Sequence, residues 1–273
     1  MPELPEVETV VQGLKRKILN KTIQKVSIYY DKIIEYPSIE EFSEKIQNQT
    51  IHDIKRYGKW IIFILDTDYL LSHLRMEGKY FIKEKNAIHN KHEHVTFLFT
   101  NNEELRYHDV RKFGKMLLIP KDKIAKIGPL KEMGKEPWDK TLTNTYLEEK
   151  LKKKTIPIKS SLLDQSIIVG IGNIYADEIL FSSNINPLKK SNTLTSKERQ
   201  AIIINTRKIL EKAIEKGGTT IRSYTSVNGV HGLFQQELSV HGKENQPCPI
   251  CKSKILKIKV AGRGTYYCPR CQK

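Results

Sequence analysis

The chain has 273 residues, more than one hydrophobic core usually organises, and its 38% hydrophobic and 29% charged content excludes long disorder. A formal net charge of +16 points to a polyanionic partner, with nucleic acid ahead of an anionic membrane surface. The longest apolar run, Trp60–Leu65, is too short to cross a bilayer, and the start Met1-Pro-Glu-Leu-Pro-Glu6 is acidic where a signal peptide is basic.

Val7, Val10, Val11, Leu14 and Ile18 fall on one face of a helix, with Pro5 suited to its first turn and Glu6 and Glu8 to its positive dipole end. Strand patterns follow over residues 23–30, 51–56, 60–65, 69–74, 79–83, 94–100, 105–108 and 115–119. A short helix over 39–46 interrupts them, capped by Ser38 with Glu41 three residues on. So many short strands separated by turn residues predict a β-sandwich or barrel. After about residue 120 the pattern becomes helical: 142–153, 160–168, 174–181 and 195–216, the last capped by Thr195 or Ser196 and stopped by Gly217-Gly218. Residues 217–232 are rich in Gly, Thr, Ser and Asn and predict an exposed, mobile loop.

The cysteines are Cys248, Cys251, Cys268 and Cys271, two C-x-x-C pairs at the spacing of a tetrahedral Cys₄ zinc site. Two disulfides would require an exported chain. Between the pairs, residues 255–260 alternate apolar with Lys, and the turn 261–264 leads into Thr265-Tyr-Tyr267. This predicts a β-hairpin held by one structural Zn²⁺, with every metal position taken by sulfur and none open for catalysis.

Pro2 is the most informative residue. Removal of Met1 would expose a secondary amine, which on attacking a sugar aldehyde carbon gives an iminium cationic at every pH, a strong electron sink for elimination. Glu3 beside it could act as general acid or base. Taken alone, Pro2 reads better as a helix-start residue, since many chains begin Met-Pro. Arg263 lies between two glycines and has a fork suited to phosphate, although an ordinary surface arginine has the same look.

The residues 1–8, Met-Pro-Glu-Leu-Pro-Glu-Val-Glu, resemble the start of the bacterial formamidopyrimidine-DNA glycosylases, base-excision repair enzymes for oxidised purines. The motifs His73-Leu-Arg-Met-Glu-Gly78, Asp109-Val-Arg-Lys-Phe-Gly114, Gly170-Ile-Gly-Asn-Ile-Tyr175, Phe234-Gln-Gln-Glu-Leu238 and Gly262-Arg-Gly-Thr-Tyr-Tyr-Cys268 match the same family in the same order, over nearly the whole chain. The resemblance implies an α+β fold of two domains. An N-terminal β-sandwich with a leading helix would span 1–133, a helical helix-two-turn-helix domain 134–240, and a zinc-finger hairpin 241–273.

It also implies roles. Pro2 would displace the base and form the Schiff base, Glu3 would be its acid and base, Lys59 would bind phosphate and assist β-elimination, and Arg263 would bind the lesion's phosphate and serve δ-elimination. Met76, Arg111 and Phe113 would fill the space left by the flipped-out nucleotide, Arg111 donating to the orphaned cytosine. His73, His92, Lys154, Lys159 and Asn173 match further DNA-contacting positions. Without the resemblance, 152–154 could be a solvated helix face, and Asn173 a plain N-cap. Glu6 would support the Pro2 site, the 217–232 loop would close over the flipped base, and Glu77 and Tyr224 could touch it. Val110, Lys112 and His231 depart from the common family pattern.

The implied activity is that of a bifunctional DNA glycosylase and abasic-site lyase, with double-stranded DNA as partner, zinc as the one cofactor, a monomeric state and a bacterial cytoplasmic location. Two alternatives remain: an endonuclease VIII-like enzyme for oxidised pyrimidines, against which residues 4–7 and the Met76, Arg111 and Phe113 set argue, and a non-catalytic damage binder, which has no need of the Pro2-Glu3 pair.

Overall fold

The computed structural model describes residues 1–219 and 232–273. Tyr224, His231 and most of the expected mobile loop lie outside the described residues. The chain divides into two compact units, one of Met1–Lys131 with Thr219 and Gly232, the other of Glu132–Gly218 and Leu233–Lys273.

The first unit opens with α1 (Leu4–Ile18), which a reciprocal capping box between Glu3 and Glu6 starts. Val7, Val10, Val11, Leu14 and Ile18 are all buried, as their spacing requires; each contributes about 1.5–3 kcal/mol of burial. The strands follow as β1 (Ile23–Ile28), β2 (Ile34–Tyr36), β3 (Asp53–Tyr57), β4 (Trp60–Ile64), β5 (Asp68–His73), β6 (Lys79–Glu84), β7 (Glu93–Phe99), β8 (Glu103–His108) and β9 (Lys115–Pro120). Between β2 and β3 lies α2 (Ile39–Ile46), whose Ser38 Oγ accepts from the Glu41 N–H at 3.2 Å.

Two sheets result, one ordered β1-β7-β8-β6 and one β2-β9-β5-β4-β3. Val26, Val95, Phe97 and Leu105 from the first share a core with Ile54, Ile61, Phe63 and Leu118 from the second and with the buried face of α1. This is the sandwich with a leading helix that the pattern predicts. The strand β2 was not expected: it is three residues long and pairs in parallel with β9, too short to show alternation.

The second unit carries α3 (Asn144–Leu151), α4 (Ile158–Leu163), α5 (Asn173–Ser182) and α6 (Ser196–Glu215). Thr143 caps α3 by accepting from the Tyr146 N–H at 3.2 Å, and Thr195 caps α6 in a capping box with Glu198. The helix α4 is shorter than the expected 160–168. Asp164 stops it by accepting from the Ser166 N–H at 3.0 Å and hydroxyl at 2.7 Å, a turn that competes with the helix. The unit ends in the hairpin of β10 (Leu256–Val260) and β11 (Arg263–Tyr267). Its Cys248, Ile255 and Cys268 pack with Phe181 of α5 and Val240. Among the described residues no helix is long and apolar enough to cross a membrane.

Candidate active site and nucleic-acid interface

Pro2 and Glu3 are buried at the start of α1, and Glu3 is 2% exposed. The Glu3 N–H donates to Glu6 Oε2 at 2.8 Å, while Glu6 Oε1 accepts from the Thr219 N–H at 2.7 Å and its hydroxyl at 3.0 Å. Glu6 therefore tethers Thr219, where the undescribed segment begins, to the first turn. The α-amino group of Met1, which precedes Pro2, has its pKa lowered by burial and by Lys59, against the opposing pull of Glu3, Glu6 and Glu77.

Lys59 occupies the two-residue turn between β3 and β4, where Tyr57 pairs with Trp60 and Gly58 takes φ 56°. It is 5% exposed. Arg56 fixes this turn to α1: its Nε donates to Glu8 Oε2 at 2.9 Å and one terminal nitrogen to the Gly58 carbonyl at 3.1 Å. The amine, Glu3, Glu6 and Lys59 thus belong to one neighbourhood that the first helix and one hairpin build.

Met76, Arg111 and Phe113 lie on two loops with a shared design. Met76 is half-buried, Arg111 is exposed, and Phe113 is 50% exposed, unusual for a Phe outside an interface. The Arg111 guanidinium stacks on the Phe113 ring at 4.7 Å. Each loop holds a non-glycine residue in the left-handed region, Arg75 at φ 52° and Lys112 at φ 57°. Such conformations cost about 1–3 kcal/mol and persist only where their surroundings impose them. Here a buried side chain at the base of each loop accepts backbone N–H groups: His73 Nδ1 from Arg75 at 2.9 Å, and the Asp109 carboxylate from Arg111, Phe113 and Gly114. Asp109 stood in the quoted motif but was given no role. An acid two residues before Arg-Lys-Phe was the available signal.

His73 is 9% exposed, and burial pushes its pKa down to about 3, so it is neutral and free to accept. Its observed work is holding the Met76 loop. The unfolded histidine titrates near 6.5 and the folded one near 3, so its stability contribution is complete above 6.5 and is lost as pH falls from there toward 3. Below pH 6, unfolding free energy should fall more steeply in the wild type than in His73→Gln, by up to about 1.4 kcal/mol per pH unit. Parallel slopes in urea titrations at pH 6, 5 and 4 would contradict this. His92 is half-buried and its ring meets that of His108 at 5.6 Å.

In the second unit, Asn173 opens α5, and its amide donates to the Gly264 carbonyl at 3.0 Å, leaving one amide hydrogen for another acceptor. Arg263 is exposed beside the tight turn Ala261-Gly262, whose φ values of 46° and 76° suit a two-residue hairpin connection. Lys154 is half-buried and pairs with Asp164 at 2.9 Å.

Lys159 corrects an expectation. It is fully buried, with Nζ 2.7 Å from Asp177 Oδ1, 3.0 Å from the Gly264 carbonyl and 2.8 Å from Thr265 Oγ1. Its three protons are committed inside the unit, so it does not face a phosphate; it fastens the Arg263 hairpin to α5. Asp177 also accepts from His241 Nδ1 at 2.7 Å and from the Tyr266 N–H at 3.2 Å. The neighbouring Glu178 accepts from the N–H groups of Ser239, Val240 and His241. Sequence reading missed this pair, although two acids inside the apolar run 174–181 announce buried partners.

The Sγ atoms of Cys248, Cys251, Cys268 and Cys271 all lie within 4.8 Å of one another. Zn–S bonds near 2.3 Å give a tetrahedron with edges of about 3.8 Å, and the Cys248–Cys271 and Cys251–Cys268 separations are 3.8 and 3.4 Å. The thiols are free of disulfides. The donor set fits one structural zinc.

Three family matches cover most of the chain. Residues 1–116 match the formamidopyrimidine-DNA glycosylase N-terminal domain, 133–225 its H2TH domain, and 245–273 the zinc finger found in FPG and IleRS. The formamidopyrimidine-DNA glycosylase of Oceanobacillus iheyensis is 48% identical over 100% of this chain and 98% of its own length. That of Exiguobacterium sibiricum is 47% identical over 100% and 99%. Among solved structures, Lactococcus lactis Fpg with DNA containing an abasic site superposes with TM-score 0.93 at 40% identity, covering 99% of each chain. The wild-type Lactococcus lactis Fpg bound to DNA containing N7-benzyl-Fapy-dG matches with TM-score 0.93, 40% identity and 100% coverage of both.

Proposed function

Because the chain belongs to the formamidopyrimidine-DNA glycosylase family, we propose that it excises oxidised purines, 8-oxoguanine and formamidopyrimidines, from duplex DNA and then cleaves the strand. The observation that carries this reading is the cluster at the start of α1: the buried Pro2, the buried Glu3 carboxylate and the buried Lys59, with Glu3 and Lys59 both acting on the amino group of the adjacent Met1.

Once Met1 is removed, the Pro2 nitrogen attacks C1′ of the everted nucleotide, the glycosidic bond from C1′ to the base breaks with its electron pair leaving on the base, and the Pro2 N–H proton passes to the departing base. Glu3 protonates the sugar ring oxygen, the ring opens, and the nitrogen becomes an iminium with no proton to lose. Loss of a C2′ proton then expels the 3′ phosphate, with Lys59 close by. The following δ-elimination expels the 5′ phosphate, with Arg263 as its donor. Met76, Arg111 and Phe113 occupy the vacated stack, and Arg111 addresses the cytosine left behind. Lys154, Asn173 and His92 hold the backbone. The zinc that the four cysteines hold would keep the Arg263 hairpin folded. The protein would act as a monomer in the bacterial cytoplasm, at the nucleoid when bound to DNA.

Excision from an 8-oxoguanine·cytosine duplex should exceed excision from a thymine glycol duplex under matched conditions. The reverse order would favour a pyrimidine-directed enzyme, a reading with one foothold: a Lactococcus lactis Fpg structure holds DNA containing an oxidised pyrimidine. Affinity should fall on the order of 10²-fold between 50 and 200 mM salt if about four phosphates are neutralised. A flat response in fluorescence anisotropy would contradict duplex DNA as the partner.

A further inference from the structure

The exposed pair Arg111 and Phe113 stands on a loop whose backbone is held almost entirely by one carboxylate. Asp109 is completely buried. Its Oδ1 accepts from the Arg111 N–H at 3.0 Å, and its Oδ2 from Phe113 at 2.9 Å and Gly114 at 2.8 Å. Its own carbonyl accepts from His94 Nε2 at 2.8 Å.

Beneath this loop lies Tyr107, also fully buried, with its hydroxyl 3.4 Å from Asp109 Oδ2. A Cβ added to Gly114 would sit 1.7 Å from that hydroxyl oxygen, and one added to Gly78 would sit 2.3 Å from it. Gly114 ends the Arg111–Phe113 loop and Gly78 ends the Met76 loop, so one oxygen is wedged under both.

We propose that Asp109 and Tyr107 are positioning residues that preset Arg111 to read the base opposite the lesion and make the two loops enter the duplex as one rigid unit. The inference rests on the glycosylase reading above. A carboxylate offers two accepting oxygens, and an amide in its place offers one. In Asp109→Asn at least one of the three N–H groups loses its acceptor, the left-handed Lys112 loses its support, and Arg111 is no longer held in place. A well-placed bidentate contact supplies most of a base discrimination, about tenfold or more, and that advantage depends on placement.

The test uses the full chain with its zinc. Excision of 8-oxoguanine opposite cytosine and opposite adenine is measured in single turnovers, with strand cleavage at a preformed abasic site as the third rate. In Asp109→Asn the cytosine-to-adenine ratio should fall about tenfold, while abasic-site cleavage stays near the wild-type rate. Tyr107→Phe, which removes only the shared oxygen, should shift the ratio the same way by a smaller factor. An unchanged ratio in both variants overturns the proposal, as does an equal fall in all three rates, which marks mere loss of structure. Should Asp109→Asn not fold, Tyr107→Phe decides by the same ratio. A wild-type chain inactive on every substrate would instead defeat the glycosylase reading, and this inference with it.

Discussion

Pro2→Gly should lose base excision and strand cleavage together while binding the lesion duplex as tightly as the wild type. Glycine leaves a primary amine, whose imine must be protonated before it can draw electrons, whereas the proline iminium is always cationic. Pro2 is buried just before α1, with Glu3 and Lys59 both acting on the amino group of the adjacent Met1, so little else in this neighbourhood can replace a correctly placed secondary amine. Glu3→Gln provides the companion result. It keeps the side-chain shape at the start of α1 but cannot transfer the proton, so single-turnover excision should fall about 10²–10⁴-fold with the melting curve unchanged. Wild-type turnover in either variant would remove the corresponding role. The wider consequence is that a chain retaining Met1 should bind damaged DNA and process none of it.

Cys268→Ser should release the zinc and weaken lesion-duplex binding by at least tenfold, because the bonds from Lys159, Asn173 and Asp177 anchor the Arg263 hairpin to α5 only while the hairpin itself stays formed. Two five-residue strands are at best marginally stable alone. Most of β10 is solvent-facing, with only Val260 buried. The interior of this region is the sulfur cluster itself, with Ile255, Val240 and Phe181 around it. Structural zinc in small domains supplies about 10–16 kcal/mol of folding free energy, far more than these few apolar contacts. The polar clamp from Lys159 and Asn173 to Gly264 would survive only if the hairpin stays formed. Zinc content by atomic absorption and affinity by anisotropy read the result. A zinc-free variant with wild-type affinity would show that the hairpin does not depend on the metal.

The fold was legible where periodicity is strong. The α1 face, the sandwich strands, the Ser38 and Thr195 caps and the cysteine hairpin follow from apolar spacing, cap chemistry and C-x-x-C pairs, all local signals. Helix ends were less so: α4 stops at Asp164 because of a side-chain turn that apolar spacing does not register. The short β2 exists only through its partner β9.

The candidate site was legible as a set of residues and much less as a set of roles. Lys159 and Arg263 are both cations in basic surroundings on paper, yet the first is sealed by Asp177, 18 positions away, and the second is exposed. Only tertiary packing separates them. His73 and Asp109 likewise emerge as supports for neighbouring residues, since an acceptor for backbone N–H groups is visible only once the loop has a conformation. Glu6 was expected to support Pro2; the structure gives its carboxylate bonds to the Glu3 and Thr219 N–H groups.

The central claim is that the α-amine of Pro2 is the nucleophile. The most direct measurement is to incubate the zinc-loaded protein, with Met1 shown to be absent, with an 8-oxoguanine·cytosine duplex in the presence of borohydride, and to map any covalent adduct by mass spectrometry. The account predicts a reduced protein–DNA adduct whose only attachment point is Pro2. An adduct at a lysine, or excision with no adduct at all, would contradict it.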